Sequence, residues 1–360
     1  MSSPAATGTA GYRAALEGAA VELRPDRARL VVTGRDPVGM LQGLFSNRVP
    51  EPGVPVEDGS ARGRGLYSAV LTPKGRMVAD LRVLRSPRPE DGLLLDLPAA
   101  ARAGLLAHFA QYVPPRFART TDVSERTAAL TLAGPHAAAL LTREALGLRV
   151  DEHELAALAE HEWVWVDAGE AGPLGEAGVL VVRSGELVAP SYDLIGESRT
   201  VRALHDRLLE AGALPLEPAE REGLRVEAGR PAWGAELDEQ TLPPEAGIEA
   251  RAIDQGKGCY TGQEVIVRIR DRGHVNRHLR GLKLRAATLP APGAELWAPG
   301  RDRPVGTVTS AAASPRAGGL ALGYVRREVT VPGELRVGGR DGPTAAVLPL
   351  GAEGQEWWRE

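Results

Sequence analysis

One phrase occurs twice in this chain and limits its architecture more than any other feature. RLVVTG, from Arg29, reads as a short apolar strand closed by a glycine turn. Asp36 and Pro37 then supply a helix N-cap and first turn, with Val38, Leu41, Leu44 and Phe45 on one face behind them. Farther along, ALTLAG runs into Pro135 and an alanine-rich helix carrying Leu140 and Leu141. Two copies of strand, tight turn and helix predict two related α+β modules.

The segments around them fit that plan. GLYSAVLTPKGRMVADLRVLR reads as a hairpin: Leu66, Ser68 and Val70 alternate, Pro73, Lys74 and Gly75 turn the chain, and Met77 to Leu84 return. SPRPEDG is then a surface turn before LLLDL. VLVVRS and YDLIG form a second strand pair after the loop AGEAGPLGEAG, and a helix from Ser198 carries Val201, Leu204 and Leu208 until Gly212 stops it. Past Gly293 come short strands broken by glycines: AELWAP, PVGTVTS, LALGYV, GELRV and AAVLPL. Such a series predicts a small antiparallel barrel at the C-terminus. Residues 1–28 and 351–360 read as flexible tails, with Trp357 and Trp358 at a frayed end.

Composition excludes several classes. Of 360 residues, 43% are apolar but only 4% aromatic, so the cores must be aliphatic. The net charge of −4 gives no global attraction to nucleic acid. Neither a basic segment leading an apolar run at the N-terminus nor a membrane-length apolar stretch occurs, which predicts a soluble, cytoplasmic protein. The single cysteine cannot form an intrachain disulfide, nor hold an iron–sulfur cluster alone.

That cysteine, Cys259, lies in GKGCYTGQEV among Gly256, Gly258 and Gly262. Glycines at this density argue for a loop with unusual backbone angles or close approach of another group. Phosphate-loop and dinucleotide spacings are not met. Lys257, two residues away, favours thiolate over thiol, which would make Cys259 a nucleophile, a redox-sensitive group or a metal ligand. A thiol packed under Tyr260 is the structural alternative. The following EVIVRIR alternates as a strand, with Val265, Val267 and Ile269 opposite Ile266, Arg268 and Arg270. His274 and His278 are too loosely spaced from Cys259 to define a metal centre, and none is expected. The run RIRDRGHVNRHLR, from Arg268 to Arg280, is the densest positive stretch and a candidate RNA or polycarboxylate contact. Asp271 interrupts it, and no aromatic residues interleave to stack bases.

KGCYTGQE, Lys257 to Glu264, resembles the signature of the YgfZ-type folate-binding proteins, relatives of the glycine-cleavage T-protein, the aminomethyltransferase. RLVVTGRDPVGMLQGLFSNRV, GLYSAVLTPKGRMVADLRV, LTLAGPHAAALL, EREGLRVEAGRPAWGAELDEQTLPPEAG, GTVTS and LALGYV resemble family blocks in the same order, from about Leu30 to Val337. The octapeptide, with Lys257, Gly258, Cys259, Tyr260, Gly262, Gln263 and Glu264, is the specific part. The resemblance implies an α+β fold: two folate-binding portions and a small C-terminal antiparallel β-barrel, arranged as a three-part ring. The chain then divides into an N-terminal tail to residue 28, a folate-binding region at 29–283, a barrel at 284–350 and a tail.

Carried over by position, the pterin-contacting carboxylate falls on Asp193, where T-proteins have glutamate, and its partner arginine on Arg221. A carboxylate accepts two hydrogen bonds from a pterin edge, and a guanidinium offers a planar fork to an oxygen. T-proteins carry paired aspartates where this chain has Ala79-Asp80, and one lost carboxylate argues against ordinary aminomethyl transfer. The implied function is tetrahydrofolate binding in support of iron–sulfur cluster assembly or repair, including enzymes that modify tRNA. Folate and iron–sulfur client or assembly proteins are the implied partners, with Lys257 and Cys259 presenting a reactive thiol. The alternative is a tetrahydrofolate-dependent aminomethyltransferase or demethylase.

Overall fold

The computed structural model describes residues 9–56, 60–88, 91–143, 146, 148, 150–167, 178–286, 288–350 and 356–359. The loop expected across AGEAGPLGEAG lies almost wholly outside them.

The repeated phrase is visible in the backbone. Strand β2 (Arg27–Thr33) turns at Gly34 into helix α2 (Pro37–Gln42), and β9 (Thr127–Ala133) turns at Gly134 into α4 (Ala137–Leu141). The two glycines share a left-handed φ, 137° and 135°. A Cβ would strike Phe117 O at Gly34 and Gly18 O at Gly134, so both turns need the bare backbone. Asp36 caps α2 by accepting from Gly39 N at 2.9 Å.

Each phrase seeds one sheet. Strands β5 (Leu66–Leu71) and β6 (Met77–Arg85) are the predicted hairpin. With β7 (Leu93–Pro98), β2 and β8 (Arg119–Asp122) they make a five-stranded sheet ordered β5-β6-β7-β2-β8. The other sheet has eight strands, centred on β9, β12 (Ser191–Glu197), β11 (Gly178–Ser184) and β10 (Glu162–Asp167). Leu84 and Leu94 of the first sheet meet Trp163, Leu180 and Ile195 of the second in a shared apolar layer. The opposite faces pack on helices, the first sheet against α3 (Arg102–Tyr112), where Leu30, Ala79 and Leu81 join Leu105 and Phe109.

The barrel closes from six strands: β14 (Arg277–Leu284), β15 (Glu295–Trp297), β16 (Gly306–Ser314), β17 (Gly318–Arg326), β18 (Gly333–Val337) and β19 (Thr344–Leu348). It therefore begins at Arg277, inside the region assigned above to folate binding.

Three local expectations are corrected. The N-terminal segment contains helix α1 (Ala10–Glu17) and strand β1 (Ala20–Leu23), which pairs with β9. Tyr12 on α1 is buried and donates to Glu227. Trp357 and Trp358 are not frayed but buried, and Trp357 Nε1 donates to Val226 O at 3.2 Å. Finally, EVIVRIR is not a strand but part of helix α10 (Gln263–Arg272). Its β-branched residues mimic a strand, but Gly262 and Gly273 bracket ten residues in which Glu264 pairs with Arg268 one turn on.

Candidate functional site

Where the two sheets part, a cavity of about 370 Å³ opens, bordered by Tyr67, Asp80, His161, Glu186, Arg221 and Trp233 among others. Alternation along β6 builds one wall: Ala79 enters the helix-side core, while Asp80 and Arg82 face the second sheet. Helix α7 (Pro218–Glu227) supplies Arg221 and Arg225 from the other side.

The cavity is rich in arginine, yet its guanidinium groups are neutralised in place. Arg24 pairs with Asp26, Arg27 with Asp96, Arg221 with Glu22 at 2.8 Å, Arg225 with Glu236, and both Arg230 and Arg251 with Glu160. Glu186 sits at the centre of this lattice, 3.3 Å from Arg24, 3.6 Å from Arg27 and 2.9 Å from Arg221. Burial alone would raise its pKa, but Arg24, Arg27, Arg221 and Arg82 hold it well below the usual carboxylate range.

Asp80 is the exception. It is buried, it pairs with no guanidinium or ammonium group among the described residues, and Tyr67 Oη donates to its Oδ2 at 3.0 Å. Its Oδ1 has no hydrogen-bond partner. Burial pushes its pKa up, against the pull of Arg27 and the Tyr67 hydroxyl. A carboxylate in this state keeps its proton to higher pH than an ordinary surface aspartate, which suits it to proton exchange with a ligand.

Tyr67 is itself held. The Arg251 guanidinium lies 4.9 Å from its ring centre, and the His161 imidazole stacks on it at 6.1 Å with an interplanar angle of 20°. His161 adopts a left-handed φ of 69°, alone among the described non-glycine residues. Burial, with Arg82, Arg251 and Arg230 nearby, pushes its pKa down to about 3, so the ring is neutral at physiological pH.

The residues expected from sequence are not gathered here. Arg221 borders the cavity; Asp193, Lys257 and Cys259 do not. Asp193 is buried on β12, where its oxygens accept from Arg82 Nη1 at 2.8 Å and Thr131 Oγ1 at 2.7 Å, bolting the two sheets together. The carboxylate the cavity presents beside Arg221 is Glu186, in the turn after β11 and seven positions before Asp193.

Lys257 points inward. Its ammonium donates to Gln42 O at 2.9 Å, Asn47 O at 2.8 Å and Phe45 O, closing the C-terminal end of α2. Burial pushes its pKa down to about 8. It anchors the loop. Tyr260 enters an apolar cluster with Leu71 and Ile266, and Gly262 takes φ 83° where a Cβ would meet Thr72 O. Cys259 is left exposed, not packed under Tyr260, and Glu264 is exposed beside Arg268. Only Gly262 of the three loop glycines needs a left-handed φ. The arginine run divides between α10 and β14, and Arg268, Arg270 and Arg277 face Glu264, Asp271 and Glu245. Among the described residues, no group of three or more histidine, cysteine or acidic side chains is placed to hold a metal ion, and no helix is long and apolar enough to cross a membrane.

Comparison with known proteins places this geometry in context. Residues 26–255 match the GCVT N-terminal domain, and residues 277–348 match the glycine cleavage T-protein C-terminal barrel domain. An aminomethyltransferase of Rubrobacter xylanophilus is 32% identical over 320 residues, spanning 88% of this chain and 78% of that one. One from Thermus thermophilus is 30% identical over 326 residues, spanning 89% and 83%. The crystal structure of glycine cleavage system aminomethyltransferase T from Bartonella henselae superimposes with a TM-score of 0.79 over 96% of this chain and 89% of that one. At 20% identity that likeness concerns the fold.

Proposed function

The chain belongs to the glycine-cleavage T-protein family, and on that premise we propose that it binds a reduced folate between its two sheets and acts as an aminomethyltransferase. The observation that carries this reading is Asp80, the cavity carboxylate that has no cationic partner among the described residues. The residues fit the ligand class. A volume of about 370 Å³ suits the ring portion of a folate. Glu186 is a fixed acceptor for an N–H edge, Arg221 a donor for ring oxygen, and Trp233 and Tyr67 offer ring surface.

Bound folate would supply the nitrogens that accept a one-carbon unit. The chain's part is to orient that group and manage a proton. Asp80, under-solvated and hydrogen-bonded by the Tyr67 hydroxyl, takes a proton from a donor brought to it and returns it with little reorganisation. Ala79 does not weaken this reading, because the missing carboxylate would stand on the core side of β6, away from the cavity.

The test is formation of methylenetetrahydrofolate from an aminomethyl-loaded lipoyl carrier protein. Turnover in the wild type, lost in Asp80→Asn with folate binding retained, is the expected result. Binding without turnover would leave folate recognition standing and overturn the transferase assignment.

A second reading is favoured by one observation, the exposed thiol of Cys259. The KGCYTGQE resemblance implies a YgfZ-type role, in which the folate-bound protein supports assembly or repair of iron–sulfur enzymes, tRNA-modifying ones included. It requires that Cys259→Ser lower client activity in cells while folate binding is unchanged.

A further inference from the structure

Among the described residues the cavity draws no wall from the barrel: its lining ends at Arg251, and the barrel begins at Arg277. One buried carboxylate nevertheless ties the far wall to the barrel. Oε1 of Glu236 accepts from Thr309 Oγ1 at 2.7 Å and Ser310 Oγ at 2.6 Å, both on β16. Its Oε2 accepts from Arg225 Nη1 at 2.9 Å and Ala232 N at 3.0 Å, and both of those residues line the cavity. The main-chain carbonyl of Glu236 accepts from Tyr324 Oη of β17 at 2.8 Å. Arg225 closes the circuit by donating Nη2 to Ser310 Oγ at 2.7 Å.

Four donors from three segments converge on two oxygens, a pattern that an acceptor-only group satisfies and a carboxamide does not. Arg225 is also buried. Burial works against its charge, but Glu222 and Glu236 more than offset this and hold its pKa above the ordinary value. The guanidinium is thus a permanent donor held on one side by Glu222 and on the barrel side by Glu236 and Ser310, with Nη1 also reaching the Arg230 carbonyl.

We infer that Glu236 is a positioning residue that fixes Arg225 and the Arg230–Trp233 segment against the barrel, so that the barrel governs ligand binding without touching the ligand. The ligand is the reduced folate proposed above, and the inference rests on that reading for its binding arm alone. The side-chain hydroxyl of Ser310 belongs to the same device, since it faces both Glu236 and Arg225.

The test compares wild type with Glu236→Gln, Ser310→Ala and Leu335→Ala well below their unfolding temperatures. Leu335 is buried in the barrel core, and its truncation destabilises that domain without entering the network. Tetrahydrofolate is titrated by calorimetry, and amide hydrogen exchange is followed in a peptide covering 225–233. Glu236→Gln and Ser310→Ala are expected to weaken binding about tenfold, the equivalent of one lost charge-assisted hydrogen bond, and to speed exchange at Ala232. Leu335→Ala should lower the Tm and leave both readouts unchanged. If Glu236→Gln lowers the Tm but binds and exchanges like the wild type, Glu236 merely glues domains and the inference is overturned. Absence of binding in the wild type would refute the folate reading instead, and the exchange of the 225–233 peptide would still decide whether Glu236 positions this wall.

Discussion

Ala79 and Asp80 are neighbours on one strand and face opposite sides of one sheet: the methyl group packs with Leu30 and Phe109, and the carboxylate borders the cavity. Counting aspartates along the sequence therefore misjudges what the site contains. The carboxylate that can reach a ligand is present.

Asp80 should cost the protein stability in exchange for function. Its folded pKa is raised, so the fold favours the protonated form. That preference contributes stability in full below the unfolded aspartate pKa and is lost as pH rises through the folded value. At pH 8 the ionised group is a burden, and Asp80→Asn should raise the Tm there by a few degrees while leaving it nearly unchanged at pH 3. Transfer should fall by roughly 10²–10⁴-fold. Thermal melts at the two pH values, with the carrier-protein assay, check both halves.

Tyr67 is the only hydrogen-bond donor the described residues offer to the Asp80 side chain. Its hydroxyl favours the ionised carboxylate. Tyr67→Phe keeps the ring between its neighbours, removes that donor, and should push the Asp80 pKa further up. If Asp80 acts as a base, the acidic limb of the pH–rate profile moves to higher pH in this variant. A lower plateau with an unmoved limb would assign Tyr67 to ligand packing alone.

Glu186 and Arg221 should matter to binding more than Asp193. Glu186→Gln and Arg221→Ala each remove a charge-assisted contact to the proposed ligand, and calorimetry should show tetrahydrofolate affinity falling by roughly 10–100-fold. Asp193→Asn should act through stability instead, since it leaves Arg82 facing a carboxamide at the sheet junction. A large affinity loss in Asp193→Asn at unchanged Tm would reverse this ranking.

What the sequence made legible follows from the range of the interactions involved. The strand–glycine–helix phrase, the β5–β6 hairpin and the five barrel strands past Gly293 are local patterns that appear where their residues predict, whereas β14, rich in Arg and Lys, carries no clean alternation and is not anticipated. The contacts of Asp193 are not legible in sequence because its partners, Arg82 and Thr131, lie on other strands, and no spacing rule shows that both its oxygens accept hydrogen bonds from them. Lys257 and Cys259 are close in sequence, which suggests a shared role, whereas the Lys257 ammonium answers to carbonyls more than two hundred residues away. Glu186 carries only a weak signal, an acid in a glycine turn after a strand that is apolar from Val179 to Val182. Helix α10 failed for a different reason: β-branched residues outweighed two flanking glycines and one i,i+4 ion pair.

Lys257→Met tests the anchoring role. The substitution preserves the apolar stem and removes all three bonds to Gln42, Phe45 and Asn47, leaving one buried and two half-buried carbonyls without the ammonium donor. Such losses typically cost about 1–3 kcal/mol each in isolation and are not additive, so a total of roughly 3 kcal/mol is expected. Denaturant unfolding measures it. Proteolysis should find the 256–262 loop first, because the variant leaves it tied to the end of α2 chiefly by Thr261, whose amide donates to Gly43 O at 3.0 Å.

His161 gives the protein a defined acid weakness. The unfolded imidazole protonates near 6.5, whereas the folded one resists until about 3. Between those values the unfolded state binds the extra proton, so this group's contribution is intact above 6.5 and is lost as pH falls toward 3. His161→Phe retains a ring to stack on Tyr67 and carries no proton. Its stability should therefore decline less steeply between pH 6.5 and 3, by up to one proton in the slope. Urea titrations across that range read the slope directly. A variant as acid-sensitive as the wild type would mean that the buried imidazole titrates near its ordinary value, and that Arg82, Arg230 and Arg251 do not act on it as their placement implies.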